Sequence, residues 1–339
     1  MKYRIIIGKK SQGDRIVTNT YLHIIKAACE LNGCICEEGT STEDLNKQED
    51  WLIFDECKLA FLYLIKGYKN VIIWVQGIVP EEAFMKGYSY FRYMIYSMLE
   101  NYVLRKAQII FLCSEYMNLH YEKKYKISLL PKAIVMPCYN DTKIDEKGFT
   151  AEKYDSNTFV YVGSLSIWQC FEETVSIYKK IELASENQTK LFIFTEEIDK
   201  AQSMINLYKV SNYEINYIPK NNLGERLNRI KYGFVLRQDH EVNRVATPTK
   251  LSNYISHGII PIYSPCLYSF DHYNNNDKIA IRFDLDKSEK GINDILKHMQ
   301  TPINTNLIKD WSNYTFKSYY GAENYVKIIA EHMKSHVTI

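Results

Sequence analysis

Lys231–Ser264 reads KYGFVLRQDHEVNRVATPTKLSNYISHGIIPIYS. Gly233-Phe234-Val235-Leu236 is a short apolar run of the kind that forms a buried strand, and Arg237 stands at its end. A polar loop, Gln238 to Thr247, leads to Pro248, whose fixed φ suits the first turn of a helix. Thr249-Lys250 opens that helix. Leu251, Tyr254 and Ile255 supply its apolar stripe, and Gly258 ends it. Ile259 to Tyr263 reads as a second buried strand. Arg237 and Lys250, set beside free amides at a helix N-terminus, make a receptor for a diphosphate.

The same alternation extends outward in both directions. Upstream, the opening strand ends at Gly8, and Ser11-Gln12-Gly13-Asp14 is a loop. Tyr21, Ile24, Ile25, Ala28 and Leu31 recur at helical spacing up to Asn32-Gly33. Strands are predicted at Cys34–Cys36, Trp51–Phe54, Val71–Val75, Ile109–Cys113 and Ala133–Pro137, with helices near 59–68 and 88–106. Strand and helix in turn imply a parallel sheet with crossover helices. Asn140–Ser156 is polar and charged and reads as a linker. The pattern then restarts at Phe159–Leu165, with a helix from Phe171, a strand at Leu191–Thr195, a further strand with its exit over Glu214–Lys220, and a short helix at 223–230. Beyond the central stretch come a strand at Ile279–Phe283, a helix at 292–299 and a terminal helical region, Trp311 to Met333.

With 339 residues the chain has room for two domains of ordinary size. The boundaries predicted are 1–150, 151–312 and a terminal helix at 313–339 packing back on the first domain. A net charge of +2 demands no nucleic-acid partner. The eight cysteines lack paired CxxC spacing. Cys34 and Cys36 share a strand face and could ligate a metal, but buried, reduced thiols are the plainer reading. The short N-terminal run Ile5-Ile6-Ile7 does not read as a secretory signal. No apolar run approaches the ~18 residues of a membrane span.

The order Pro248-Thr249-Lys250, Asn253-Tyr254, Gly258, Pro261 resembles the C-terminal half of nucleotide-sugar glycosyltransferases of the GT-B fold, family four, and within it the bacterial surface-polysaccharide branch. The likeness runs through nearly the whole chain. The resemblance implies two Rossmann-like parallel-sheet domains facing a cleft. It implies sugar transfer from a UDP- or GDP-linked donor to a lipid-linked saccharide, with retention, no further cofactor and no essential metal. Gln76-Gly77-Ile78-Val79-Pro80-Glu81-Glu82 follows a strand, where ligands of such sheets bind. It resembles the branch's Gln-Gly…Pro-Glu-Glu loop. Glu81 and Glu82 are therefore candidates for acceptor contact or base catalysis, the alternative being two acids that merely start a helix. Gly13, Gln76 and Gly77 are the acceptor-side residues implied.

On the donor side the resemblance implies Gly163, Ser164, Thr195, Ile218, Pro219, Arg244, Thr249 and Asn253, with Arg237 and Lys250 bearing the diphosphate. Two departures stand out. Relatives carry Arg and Lys just after the Gly-Ser turn, whereas this chain has Ser166-Ile167-Trp168-Gln169. The family's paired glutamates fall at Val245 and Asn253. A catalytically silent GT-B subunit that stabilises a partner transferase is thus the competing reading. An epimerase on the same fold would need cleft acids and histidines that the sequence does not place. Asp284-Leu285-Asp286 is a DxD triplet, read as a loop, and His257 as a helix C-terminal contact. The helix at 88–106 mixes tyrosines with Arg92, Arg105 and Lys106, followed by Lys123, Lys124 and Lys126. It reads either as a core helix with a solvated charged face or as a surface docking on membrane lipid. The localisation expected is cytoplasmic, peripheral on the inner face of a bacterial membrane.

Overall fold

The structure is a computed structural model describing residues 2–6, 15–39, 41–274 and 279–337. Gly13, one of the expected acceptor-side residues, lies outside them. The chain divides into two units: Met1–Cys138 with Val245–Thr247 and Tyr320–Ile339, and Tyr139–Arg244 with Pro248–Tyr319. The units change after 138 and after 319, where the sequence-based boundaries are 150 and 312.

The first unit runs β1 (Lys2–Ile6), α1 (Arg15–Leu31), β2 (Ile35–Glu38), β3 (Trp51–Phe54), α2 (Cys57–Ile65), β4 (Asn70–Val75), α3 (Val79–Met85), α4 (Tyr90–Lys106), β5 (Ile109–Leu112), α5 (Glu115–Tyr125) and β6 (Ala133–Val135). All its strand pairs are parallel, in the order β2-β1-β3-β4-β5-β6. Central strands β3, β4 and β5 are apolar almost throughout, as a sheet covered on both faces requires.

The second unit runs α6 (Ala151–Asp155), β7 (Thr158–Val162), α7 (Phe171–Ala184), β8 (Lys190–Phe194), α8 (Ile198–Tyr208), β9 (Tyr213–Asn216), α9 (Lys220–Leu227), β10 (Tyr232–Val235), α10 (Glu241–Arg244), α11 (Thr249–Ser256), β11 (Ile260–Tyr263), α12 (Tyr268–Tyr273), β12 (Ile281–Arg282), α13 (Ser288–Met299) and α14 (Thr305–Ser318). Its sheet is again parallel, in the order β12-β11-β10-β7-β8-β9. The chain moves outward from β7 to β9, then returns to lay β10 on the other side of β7. Ligands of such sheets bind at the carboxyl ends of strands beside this reversal. Gly163 follows β7 and Arg237 follows β10, so the two flank it.

Two expectations are corrected. The stretch read as a linker is packed structure: Asp145 N–H donates to Ser256 O (2.8 Å), Tyr154 hydroxyl to Gly258 O (2.8 Å), and the buried Lys153 amine to the Gly148 and His257 carbonyls. The expected terminal helix is two helices, because the chain breaks at Tyr319–Gly321. Helix α14 belongs to the second unit. Only α15 (Ala322–Val337) packs on α1, where Asn32 Nδ2 donates to Ala330 O (2.8 Å) and Cys29 meets Met333. The strand and exit expected over 214–220 are β9, ending at Asn216, and the turn through Pro219 into α9.

Gly233 shows how the decisive stretch folds. A Cβ there would lie 2.5 Å from the Tyr254 ring, so only glycine lets α11 lie this close on β10. That approach sets where Lys250 points. The eight cysteines are free thiols, six of them buried.

Candidate functional site

Arg237 is carried in by β10, whose four residues are all buried, and is itself 3% exposed. Its backbone N–H donates to Ser264 Oγ (2.9 Å) at the end of β11. The guanidinium donates to the Leu236 carbonyl (2.8 Å), the Gln169 carbonyl (3.2 Å) and Gln169 Oε1 (2.5 Å). Lys250, in the first turn of α11, donates from Nζ to that same Oε1 (2.9 Å) and lies 4.2 Å above the Tyr161 ring centre. A Cβ on Gly163, at φ +117°, would be 3.8 Å from the lysine amine. The structure therefore brings Arg237, Lys250 and Gly163 together, and adds Gln169.

Neither basic group has an acidic partner among the described residues. Burial depresses the Lys250 pKa well below the usual lysine value, and Arg237 depresses it further. Burial also lowers that of Arg237. The nearest ionisable neighbours cannot neutralise them. Burial pushes the Cys170 thiol up to about 11 and the Cys266 thiol up to about 12, so both are uncharged at neutral pH. Burying a basic group unpaired costs several kcal/mol (roughly, in practice, after relaxation). No side chain caps the start of α11, so its first amides have no side-chain acceptor. Beside Arg237 a cavity of about 870 Å³ opens, lined by Gln238, Ser264, Tyr268 and Asp284 among others. That size is ordinary for a ligand site.

The remaining donor-side residues are more dispersed. Ser164 is exposed, its hydroxyl on Ser166 (3.2 Å), and its carbonyl accepts from the Tyr161 hydroxyl (2.6 Å). Thr195 is buried at the end of β8, accepting from Glu197 N–H (3.2 Å). Ile218 and Pro219 join β9 to α9. Thr249 opens α11. Arg244 is bound in a fork to Asp239 (2.6 and 3.0 Å) at the end of α10, and is not among the groups that meet Gln169. Asn253 is engaged on both sides: its Nδ2 donates to Asp141 (2.7 Å) and its Oδ1 accepts from Asn140 (2.9 Å).

In the first unit, Gln76 and Gly77 follow β4, with Gln76 Nε2 reaching the Asp55 carbonyl (3.5 Å). Glu81 and Glu82 occupy the first turn of α3, and Pro80 stands just before them. Glu81 is buried and surrounded: Lys124 at 2.7 Å, the Tyr93 hydroxyl at 3.3 Å and His120 at 3.5 Å. Burial pushes its carboxyl up, but His120 and Lys124 together bring it below the usual value. Lys124 also meets Glu100 (3.2 Å), which takes hydroxyls from Tyr121 (3.1 Å) and Tyr125 (2.6 Å). Glu82 lies half-buried against Gly77, and burial raises its pKa.

Solved structures supply the frame. Sucrose-phosphate synthase from Thermosynechococcus elongatus is 9% identical with a TM-score of 0.75 over the whole of both chains. WaaG, a glycosyltransferase involved in lipopolysaccharide biosynthesis, is 12% identical with a TM-score of 0.63, over 96% of this chain and 99% of its own. The fold is GT-B. TarM from S. aureus, solved as a mutant in complex with fondaparinux, alpha-GlcNAc-glycerol and UDP, is 11% identical with a TM-score of 0.64. That match covers 88% of this chain but 57% of TarM, so the chain spans little more than half of TarM's length. No protein-family model matches the chain, and no curated protein matches it by sequence.

Within this GT-B chain, the positions of the absent glutamate pair are occupied in other ways. Val245 is buried in the first unit, its carbonyl accepting from Ser114 Oγ (2.7 Å). Asn253 is held as described. The DxD triplet is a turn: Asp284 accepts from Asp286 N–H (3.1 Å) and pairs with Lys287 (3.5 Å). His257 sits at the end of α11 with Nδ1 on Asn228 Oδ1 (2.8 Å). Sequence reasoning marked Gln169 only as a missing charge. That it sits on both basic groups follows from the turn at Cys170, which no local pattern announces.

Proposed function

We propose that this chain is a glycosyltransferase that moves a sugar from a UDP- or GDP-linked donor to a lipid-linked saccharide of a bacterial surface polysaccharide, with retention and without an essential metal. The observation carrying this is the pair Arg237 and Lys250, buried beside the reversal point of the sheet, without an acid, on one amide oxygen. As the bond to the sugar breaks, negative charge grows on the leaving diphosphate. Arg237 offers a planar fork to two phosphate oxygens, Lys250 a point charge, and the start of α11 its amides. The departing phosphate assists removal of the acceptor proton, while Glu82, Gln76 and Gly77 meet the acceptor. A thermal-shift panel of UDP, GDP, ADP and CMP, with and without EDTA, tests the reading. UDP or GDP should raise the melting temperature in both conditions. Binding abolished by EDTA would remove the metal-free mechanism, and no response to any nucleotide would remove the reading itself.

A second reading, a GT-B subunit that binds nucleotide but does not turn over, is favoured by one observation: Asn253 is already satisfied by Asp141 and Asn140. Nucleotide binding with no transfer or donor hydrolysis would decide for it.

The membrane contact of this proposal has a defined face. Helix α4 presents Phe91, Ile95, Met98 and Tyr102 outward at helical spacing, Phe91 75% and Met98 68% exposed. Between Glu82 and Glu115 the only acid is Glu100, which is buried, whereas Lys86, Arg92, Arg105 and Lys106 are exposed. An apolar stripe on a helix whose exposed charges are all cations fits an anionic lipid surface. No described helix is long and apolar enough to cross a membrane. Phe91→Ser with Met98→Ser should abolish sedimentation with phosphatidylglycerol vesicles. Retained sedimentation, or loss of a dimer in its place, would reassign the face.

A further inference from the structure

Gln169 occupies a position that the proposed chemistry reserves for an anion. Its one side-chain oxygen accepts from Arg237 Nη2 (2.5 Å) and from Lys250 Nζ (2.9 Å). Its carbonyl takes a further bond from Arg237 (3.2 Å), and its backbone N–H closes the preceding turn on Ser166 O (2.8 Å). The backbone immediately after it is constrained. Cys170 adopts φ +50°, in the left-handed region that a residue with a Cβ enters at a cost. The Gln238 N–H donates to Cys170 Sγ (3.1 Å), and the Gln238 side chain donates to Glu173 in the following helix (2.7 Å). The turn is thus tied to the residue that follows Arg237. The side chain of Gln169 is only half-buried, so it can swing away while the turn stays.

We propose that the Gln169 amide oxygen is an internal placeholder in the anion site, displaced when a nucleoside diphosphate binds, so that residue 169 sets diphosphate affinity. This rests on the assignment of Arg237 and Lys250 to the diphosphate. An amide oxygen suits the task because it satisfies buried donors in the empty protein without a net charge. A phosphate, fully charged, makes the stronger bonds and replaces it. A carboxylate at 169 would hold both basic groups too well, and a methyl group would leave them unsatisfied.

The test is calorimetric titration of the full chain with UDP, GDP and inorganic pyrophosphate, in wild type, Gln169→Ala, Gln169→Glu and Arg237→Ala, with melting temperatures taken before ligand is added. Gln169→Ala should bind ~10-fold tighter, having no placeholder to displace. Gln169→Glu should bind ~10²-fold weaker, because its own carboxylate competes for both groups. Without ligand the melting order should be Gln169→Glu above wild type above Gln169→Ala. Weaker binding by Gln169→Ala would make Gln169 a direct ligand contact and overturn the placeholder. Unchanged affinity in both variants, with binding lost in Arg237→Ala, would overturn it too while leaving the diphosphate assignment standing. No binding by wild type would remove that assignment, and the placeholder with it.

Discussion

Each unit holds buried charge behind the carboxyl end of a sheet strand, and the two settings differ in one respect. Glu81 is closed in by the chain on one oxygen: lysine, histidine and tyrosine meet its Oε1, Oε2 is buried without a hydrogen bond, and Lys124 passes the pairing on to Glu100. Arg237 and Lys250 find only an amide oxygen and backbone carbonyls. A buried charge with opposite charge beside it has its energetic reason inside the protein. One with no opposite charge beside it is a candidate for a ligand from outside the chain. The contrast is what supports placing the proposed diphosphate at the second setting and not at the first.

The largest effect expected is on the open pair. Arg237→Ala and Lys250→Ala should each lower transfer by ~10²–10³-fold, and the double variant should fall short of the product, since residues acting as a unit are not additive. Arg237→Lys should remain poor, a point charge being no substitute for a fork. Wild-type turnover in Arg237→Ala would break the comparison. The closed acid should behave in the opposite way. Glu81→Ala should cost of order 3 kcal/mol of stability, read by urea unfolding, because Lys124 is left with half its partners. Nucleotide affinity in the surviving folded protein should be unchanged. Glu82→Gln should leave both stability and nucleotide binding near wild type and lower transfer alone; weakened nucleotide binding would move Glu82 to another role.

A smaller effect concerns protons. The Lys250 pKa is depressed in the empty site by burial and by Arg237, and a bound diphosphate reverses this. Binding should therefore take up a proton at pH above the empty-site value, and affinity should fall as pH rises through the alkaline range. Without ligand the sign is opposite for stability: the unfolded chain holds the lysine proton more tightly, so this group makes the fold more stable as pH rises from its folded value toward the ordinary one. Calorimetry in two buffers of different ionisation enthalpy reads the uptake, and none detected would mean that binding does not change the protonation of Lys250. Smallest of all is Arg244→Ala. Its fork to Asp239 is partly exposed, so stability should change by less than about 0.5 kcal/mol, with nucleotide affinity hardly altered. A large loss of affinity would put Arg244 beside the other two.

The sequence alone carries the alternation of strand and helix, and with it two parallel sheets, because buried strands and amphipathic helices leave periodic apolar patterns that neighbours along the chain suffice to express. It also marked Arg237 and Lys250, since a cation after a strand and another in the first turn of a helix are local features. The tertiary structure decided the rest. That Glu81 is paired depends on Lys124 and His120, from α5 three elements later, and that Asn253 is engaged depends on Asp141, more than a hundred residues away in sequence. The stretch read as a linker, Asn140–Ser156, looked unstructured because its polar residues are satisfied by carbonyls of the distant α11 corner, which no window of sequence contains. Gln169 carried no charge to draw notice. Only the left-handed turn at Cys170 and the return of β10 beside β7 bring its oxygen onto two basic groups at once, and partners of this kind are chosen by the fold after the chain has closed.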